Sequence, residues 1–183
     1  METFAEYILS ENNLIRKMEI TFYLQKKARI FFDNSVIFKT ELANMFIDTM
    51  NINVDKNLVL TTCLLCACKK SYDPQKLDKI KSYAKEGARY LSELGFSKRF
   101  CKICEEVNRY SGSSPREKES DILELVDQFG GMLLHRPERI GFKIDEALVL
   151  LEYRNLKNIN NIYFDQFKEF VTKEEGIKVW ENH

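Results

Sequence analysis

Apolar residues along this chain recur at intervals of three and four, the spacing that lines one face of a helix. Leu14, Met18 and Phe22 lie four apart, as do Ile20, Leu24 and Ala28. That pattern predicts a long helix from about Asn12 to Phe32, behind a short one over Phe4 to Leu9. Leu42, Met45 and Phe46 predict a third helix over Val36 to Met50. Asp55 has the position of an N-cap for a helix through Leu58, Leu60, Leu64 and Leu65, apolar around almost its whole circumference and so the predicted central helix. Asp73-Pro74 starts the next, through Ile80 to Leu94, with Gly95 as its left-handed stop. Ser97 caps a helix through Phe100, Ile103 and Val107; further helices are predicted over Ser120 to Leu134, Asp145 to Tyr153 and Asp165 to Val171. Ser111 to Pro115 reads as a loop. No stretch alternates with period two long enough to predict a strand. The fold class is all-α: a single helical bundle of eight to ten helices.

Composition narrows what such a bundle does. The chain of 183 residues carries 28 basic and 28 acidic side chains, so no bulk positive charge holds it on nucleic acid. No apolar run reaches the roughly 20 residues of a membrane span. The N-terminus lacks the basic-then-apolar order of a signal peptide. Five cysteines, an odd number, then point to reduced thiols in a cytoplasm.

The most specific string is Ile122-Leu-Glu-Leu-Val-Asp127-Gln-Phe129-Gly-Gly-Met-Leu-Leu-His-Arg136-Pro137-Glu-Arg139. It resembles the closing motif of the HD-GYP branch of the HD superfamily, where Asp is followed two residues on by Phe and later by Arg-Pro-x-Arg. Ala147-Leu148 and Phe164 to Phe170 are similar to the family's segments downstream of that motif. Glu106-Val-Asn-Arg109-Tyr110-Ser-Gly112-Ser resembles the family's His-His-Glu-Arg-Tyr-Asp-Gly-Ser. Ile80 to Leu91, with Tyr83, Gly87 and Ala88, resembles its Ile-x-x-His-x-x-x-Gly-Ala-x-x-Leu helix. Leu64-Leu65-Cys66-Ala67-Cys68-Lys69-Lys70 stands where the family has Leu-Leu-His-Asp-Ile-Gly-Lys, and Asn34-Ser35 where it has its opening His-Ser. The resemblance covers about Asn34 to Val171. It implies an HD-like helical domain over residues 34–183 and an extra N-terminal helical segment over residues 1–33, packed on that core.

The departures carry the functional expectation. Family members bind iron or manganese through His and Asp and use a bridging hydroxide to cut a phosphodiester. Carried across, the ligand positions become Asn34, Cys66, Ala67, Tyr83, Glu106 and Val107, and Asp127 alone keeps the family residue. A di-metal site needs several imidazoles and carboxylates around a gap of roughly 3.5–4 Å. Ala67 and Val107 offer no donor atom, and Ser113-Ser114-Pro115 stands in place of the Gly-Tyr-Pro signature. The only histidines, His135 and His183, lie elsewhere. The resemblance therefore implies a domain that keeps the scaffold and lacks metal, cofactor and catalytic residues. Its role is then regulation or protein interaction in a bacterial cytoplasm, an origin suggested by the family and by a composition rich in Lys, Ile and Asn. Two alternatives stand beside it: a vacated pocket that senses a nucleotide or other small anion, and a divergent metal-dependent phosphohydrolase rebuilt on Asp127, Glu106 and cysteines.

Each remaining candidate has a structural reading. Asp127 on a helix facing a former metal pocket pairs with a nearby Arg or Lys; holding a cation is the alternative. Arg136, Pro137 and Arg139 fix the turn into the next helix, with anion binding by Arg136 and Arg139 as the alternative. Cys63-x-x-Cys66 and Cys101-x-x-Cys104 match the ligand count of a Cys₄ zinc site, yet both fall within helices, where buried thiols serve as small apolar groups. Cys66 as a nucleophile lacks a neighbouring imidazole. Lys98, Arg99 and Lys102, and Lys26, Lys27 and Arg29, read as solvated faces, so no nucleic-acid partner is expected. The aromatic-rich N-terminal segment, with Phe4, Tyr7, Ile8, Leu9, Phe22, Tyr23, Phe31 and Phe32, either completes the core or docks a second copy or another protein.

Overall fold

The computed structural model describes residues 3–71, 77–135 and 140–173. Among them the chain forms nine α-helices and no strand, in agreement with the all-α expectation. They are α1 (Phe4–Ser10), α2 (Leu14–Ala28), α3 (Asn34–Thr49), α4 (Lys56–Leu65), α5 (Leu77–Glu93), α6 (Lys98–Glu105), α7 (Lys118–Leu133), α8 (Ile144–Arg154) and α9 (Phe164–Lys173). A short 3₁₀ turn, Arg109–Ser111, precedes α7, and a wide turn, Asn155–Ile159, continues α8.

Helix starts follow local chemistry. Thr3 and Glu6 form a capping box on α1. The side chains of Asn13, Asp33, Asp55 and Ser97 each accept a backbone N–H in the first turn of their helices, including the Asp55 and Ser97 caps expected from sequence. Gly95 stops the segment after α5 at φ 92°, also as expected. The proposed Asp73-Pro74 start lies outside the described residues.

One expected element is corrected. The helix predicted from Asn12 to Phe32 ends at Ala28. Arg29 adopts a left-handed conformation, φ 52° and ψ 38°, with its N–H donated to the Gln25 carbonyl. The chain then turns inward: Phe31 N–H bonds the Cys68 carbonyl at 2.9 Å, and Ile30, Phe31 and Phe32 are buried. The left-handed turn at Arg29 and the Phe31–Cys68 backbone bond end the helix, and the segment that follows presses its three large side chains on the core.

The core forms around α4, whose residues from Leu58 to Leu65 are all buried. α1, α2, α3, α6 and α7 pack on it. Phe46 of α3, Phe129 of α7, and Phe167 and Phe170 of α9 form an aromatic cluster, with Phe46 and Phe129 meeting Phe167 edge-on at centroid distances of 5.1 and 5.3 Å. Phe96 stacks on Phe100 at 4.2 Å and takes the edge of Phe4, which ties α1 to the α5–α6 junction.

Part of the N-terminal segment is buried in the core and part of it is exposed. Ile8, Phe31 and Phe32 are buried and Phe4 and Leu9 pack against the core, whereas Tyr7, Phe22 and Tyr23 are exposed. α2 sets Leu14, Met18, Ile20, Leu24 and Ala28 against the core and also buries Lys17 and Thr21. Lys17 donates from Nζ to the Ile8 carbonyl and, at 2.9 Å, to Thr61 Oγ1, so a lysine joins α1, α2 and α4. Burial lowers its pKa from 10.5 to about 8.

Candidate functional site

Asp127 lies in the third turn of α7, and Gly130 follows it by three residues on the same helix face. A Cβ on Gly130 would stand 2.8 Å from Lys39 Cγ and 3.2 Å from the Phe38 ring. The missing side chain therefore lets α3 and α7 close together, with the Lys39 stem lying over Gly130. At the end of that stem the Lys39 ammonium donates to Asp127 Oδ1. Lys39 is only 5% exposed, and Asp127 keeps a quarter of its side chain open. Burial alone would pull the ammonium's pKa down, but the Asp127 carboxylate outweighs it and the group is held above its ordinary value.

Cys66 and Tyr83, two positions that the resemblance aligns with metal ligands, lie near this pair. Cys66, at the C-terminus of α4, is buried, and burial pushes its thiol up to about 12, with Lys39 opposing and Asp127 reinforcing the shift. Tyr83 of α5 is raised well above its ordinary value, first by burial and then by Asp127 and Cys66, against the Asn108 side chain. Gly87, one turn beyond Tyr83, permits this approach: a Cβ there would meet Cys68 Sγ at 3.3 Å and the Cys66 carbonyl at 3.4 Å. Lys39, Cys66, Tyr83 and Asp127, from α3, the end of α4, α5 and α7, thus lie near enough to influence one another's titration.

The other positions do different work. Asn34 opens α3 with its side chain exposed. Ala67 and Val107 are buried apolar residues. Glu106 is fully buried and turned to the start of α7: Oε2 accepts from Glu117 N–H at 2.9 Å and Ser120 Oγ at 2.6 Å, and Oε1 accepts from Ser113 Oγ. Glu117, the N-cap residue of α7, makes no side-chain cap of its own; Glu106 instead holds the helix start through the Glu117 N–H and the Ser120 hydroxyl. Arg136, Pro137 and Arg139 lie outside the described residues.

Beside Glu106 lies a layer of ion pairs in which Glu119 Oε2 alone, among the described buried polar side-chain atoms, lacks a hydrogen-bond partner. Arg109 grips Glu124 through two nitrogens at 2.8 and 2.9 Å, Arg116 reaches Asp121 at 3.1 Å, and Arg99 reaches Glu119 at 2.9 Å. Arg99 is exposed, as a solvated face requires, Lys102 is half-buried, and both pair with Glu117.

This donor set does not fit a pair of divalent ions. Asp127, which the resemblance aligns with a family ligand, is paired with an ammonium, Glu106 is committed to the α7 start, and Ala67 and Val107 bring no donor atom. The four cysteines counted for zinc also do not converge: among the described residues no three His, Cys, Asp or Glu side chains are placed to hold a metal. The cysteines are free thiols, four of them buried, with Cys66 donating to the Cys63 carbonyl and Cys68 to that of Gly87.

Lys39 is the site residue that the sequence analysis missed. The signal was present: Val36, Lys39, Ala43 and Phe46 fall on one helical stripe, all four buried. A lysine on the apolar stripe requires a buried partner. No family model matches the chain, and neither does any curated protein or solved structure.

Proposed function

We propose that the chain is a degenerate HD-GYP-like domain that has exchanged metal-dependent phosphodiester chemistry for a regulatory or protein-interaction role in a bacterial cytoplasm. The observation that carries this reading is the Lys39–Asp127 pair. A lysine ammonium beside the one family carboxylate supplies the positive charge that a metal would otherwise bring, from within the chain. It also weighs against the nucleotide-sensing alternative, because a cation already paired with a carboxylate attracts an anion weakly. The interaction half of the reading draws on α2, whose Ile15, Phe22 and Tyr23 are exposed.

The test is an assay of a chromogenic phosphodiester and of cyclic di-GMP with added Mn²⁺ or Fe²⁺. No turnover above buffer is expected. Turnover that disappears in Asp127→Ala overturns the proposal and restores the divergent hydrolase.

A further inference from the structure

Among the described residues, six of the ten exposed large apolar side chains lie on two segments of opposite charge character, α2 and α8 with the turn continuing it. On α2, Ile15 and Phe22 are 70% and 50% exposed, and Lys26, Lys27 and Arg29 follow, all exposed. Among the described residues none of these three cations has a carboxylate partner. On α8 and the turn continuing it, Val149 and Leu156 are 65% and 78% exposed, and the exposed acids Asp145 and Glu146 precede them. α2 packs on α4, whereas α8 packs on α7 and α9.

The two faces share one spacing. Ile15 and Phe22 are seven residues apart on one stripe of α2, a span of about 10 Å, and Val149 and Leu156 are also seven apart, with Leu156 just past α8 in the wide turn. Lys26 lies four residues beyond Phe22, and Asp145 lies four residues before Val149. Set antiparallel, the helices bring Ile15 to the level of Leu156, Phe22 to Val149 and Lys26 to Asp145 together. The basic C-terminal turn of α2 then meets the acidic N-terminal turn of α8, the favourable arrangement for both helix dipoles. Glu19 and Glu152 fall at one level, but each already has a cation of its own chain, Arg16 at 2.8 Å and Lys168 at 2.9 Å.

We infer that α2 of one copy of this chain docks antiparallel on α8 of a second copy, through Ile15–Leu156 and Phe22–Val149 contacts and a Lys26–Asp145 ion pair. The contact is heterologous, joining two different surfaces, so the copies associate head to tail. One helix pair covers less than the roughly 800 Å² per partner of a standard interface, which makes the association weak, concentration-dependent and sensitive to salt. The inference deepens the interaction half of the proposed function and rests on it. The two fail separately: phosphodiesterase turnover overturns the loss of catalysis alone, and an inactive monomer overturns this contact alone.

Sedimentation velocity of the intact chain over a rising concentration series tests it. Self-association is expected, weakened roughly tenfold by Lys26→Glu and equally by Asp145→Lys. Mixing these two variants is expected to restore assembly, because the α8 face of the first and the α2 face of the second are both native. Leu156→Asp, at a fully solvated position, gives a second route to the same loss, and circular dichroism checks that each variant is folded. A wild-type monomer throughout the series overturns the inference. So does assembly undiminished by the single variants, or mixing without rescue, which would signal a symmetric contact or another surface.

Discussion

Lys39 on α3 and Asp127 on α7 stand 88 positions apart in sequence and meet as an ammonium–carboxylate pair, with Gly130 making the room for the lysine stem. The lysine is buried and the aspartate is partly open, so the charge that depends on its partner is the lysine's. Removing the aspartate therefore has a different consequence from removing both.

Asp127→Ala leaves a buried ammonium without its counter-ion. The loss expected is about 1–3 kcal/mol, below that of a fully buried pair because Asp127 retains solvent. Lys39→Met combined with Asp127→Ala recovers a good part of it, since methionine refills the volume without the charge. Urea denaturation of the two variants and the wild type checks this; a double variant no more stable than Asp127→Ala would contradict the unpaired ammonium as the source of the loss.

Glu106 is a structural carboxylate in this fold. Glu106→Ala strips the acceptor from the Glu117 N–H and from the Ser113 and Ser120 hydroxyls, and is expected to cost about 2–4 kcal/mol. Hydrogen exchange should show the opening concentrated in the first turn of α7. An unchanged denaturation midpoint would contradict the role.

Lys17 links stability to alkaline pH. Its folded pKa, about 8, lies below the ordinary 10.5, so between those values the unfolded chain holds the extra proton. Its contribution to stability therefore rises with pH across that window and is most unfavourable at neutral pH. Lys17→Met is expected to be neutral or stabilising near pH 7, by up to about 2 kcal/mol, with its advantage over wild type shrinking as pH climbs through the window. Thr61 keeps a partner in the variant, since its hydroxyl also donates to the Asn57 carbonyl. A variant whose advantage grows with pH would refute the assignment.

Thiol reactivity follows burial. Cys101 is partly exposed, while Cys63, Cys66, Cys68 and Cys104 are buried. Burial pushes Cys66 and Cys68 up to about 12, which leaves little thiolate near neutral pH. Ellman titration of the folded protein is expected to show one fast thiol, abolished by Cys101→Ser, and five in denaturant. A fast phase surviving in Cys101→Ser would mean that a buried thiol is open to solvent.

The sequence by itself determined the helical class, the caps at Asp55 and Ser97, the stop at Gly95 and the buried α4, because all of these depend on neighbours within a turn or two. Helix spacing, a side-chain acceptor at the first turn and a left-handed glycine act locally, so they are legible in a linear string. It did not determine the end of α2, where the apolar rhythm continues past Ala28. Only the tertiary contact of Phe31 with the α4 terminus, together with the left-handed turn at Arg29, breaks the helix there. The polar residues show the same division more sharply. Asp127 was visible as a site position and a basic partner was anticipated, but which cation it takes depended on how closely α3 approaches α7. Glu106 stood out by its position in a string and turned out to serve the start of another helix. Charged side chains are costly to bury, so each must find a partner, and that partner is chosen by which helices the fold brings together rather than by sequence distance.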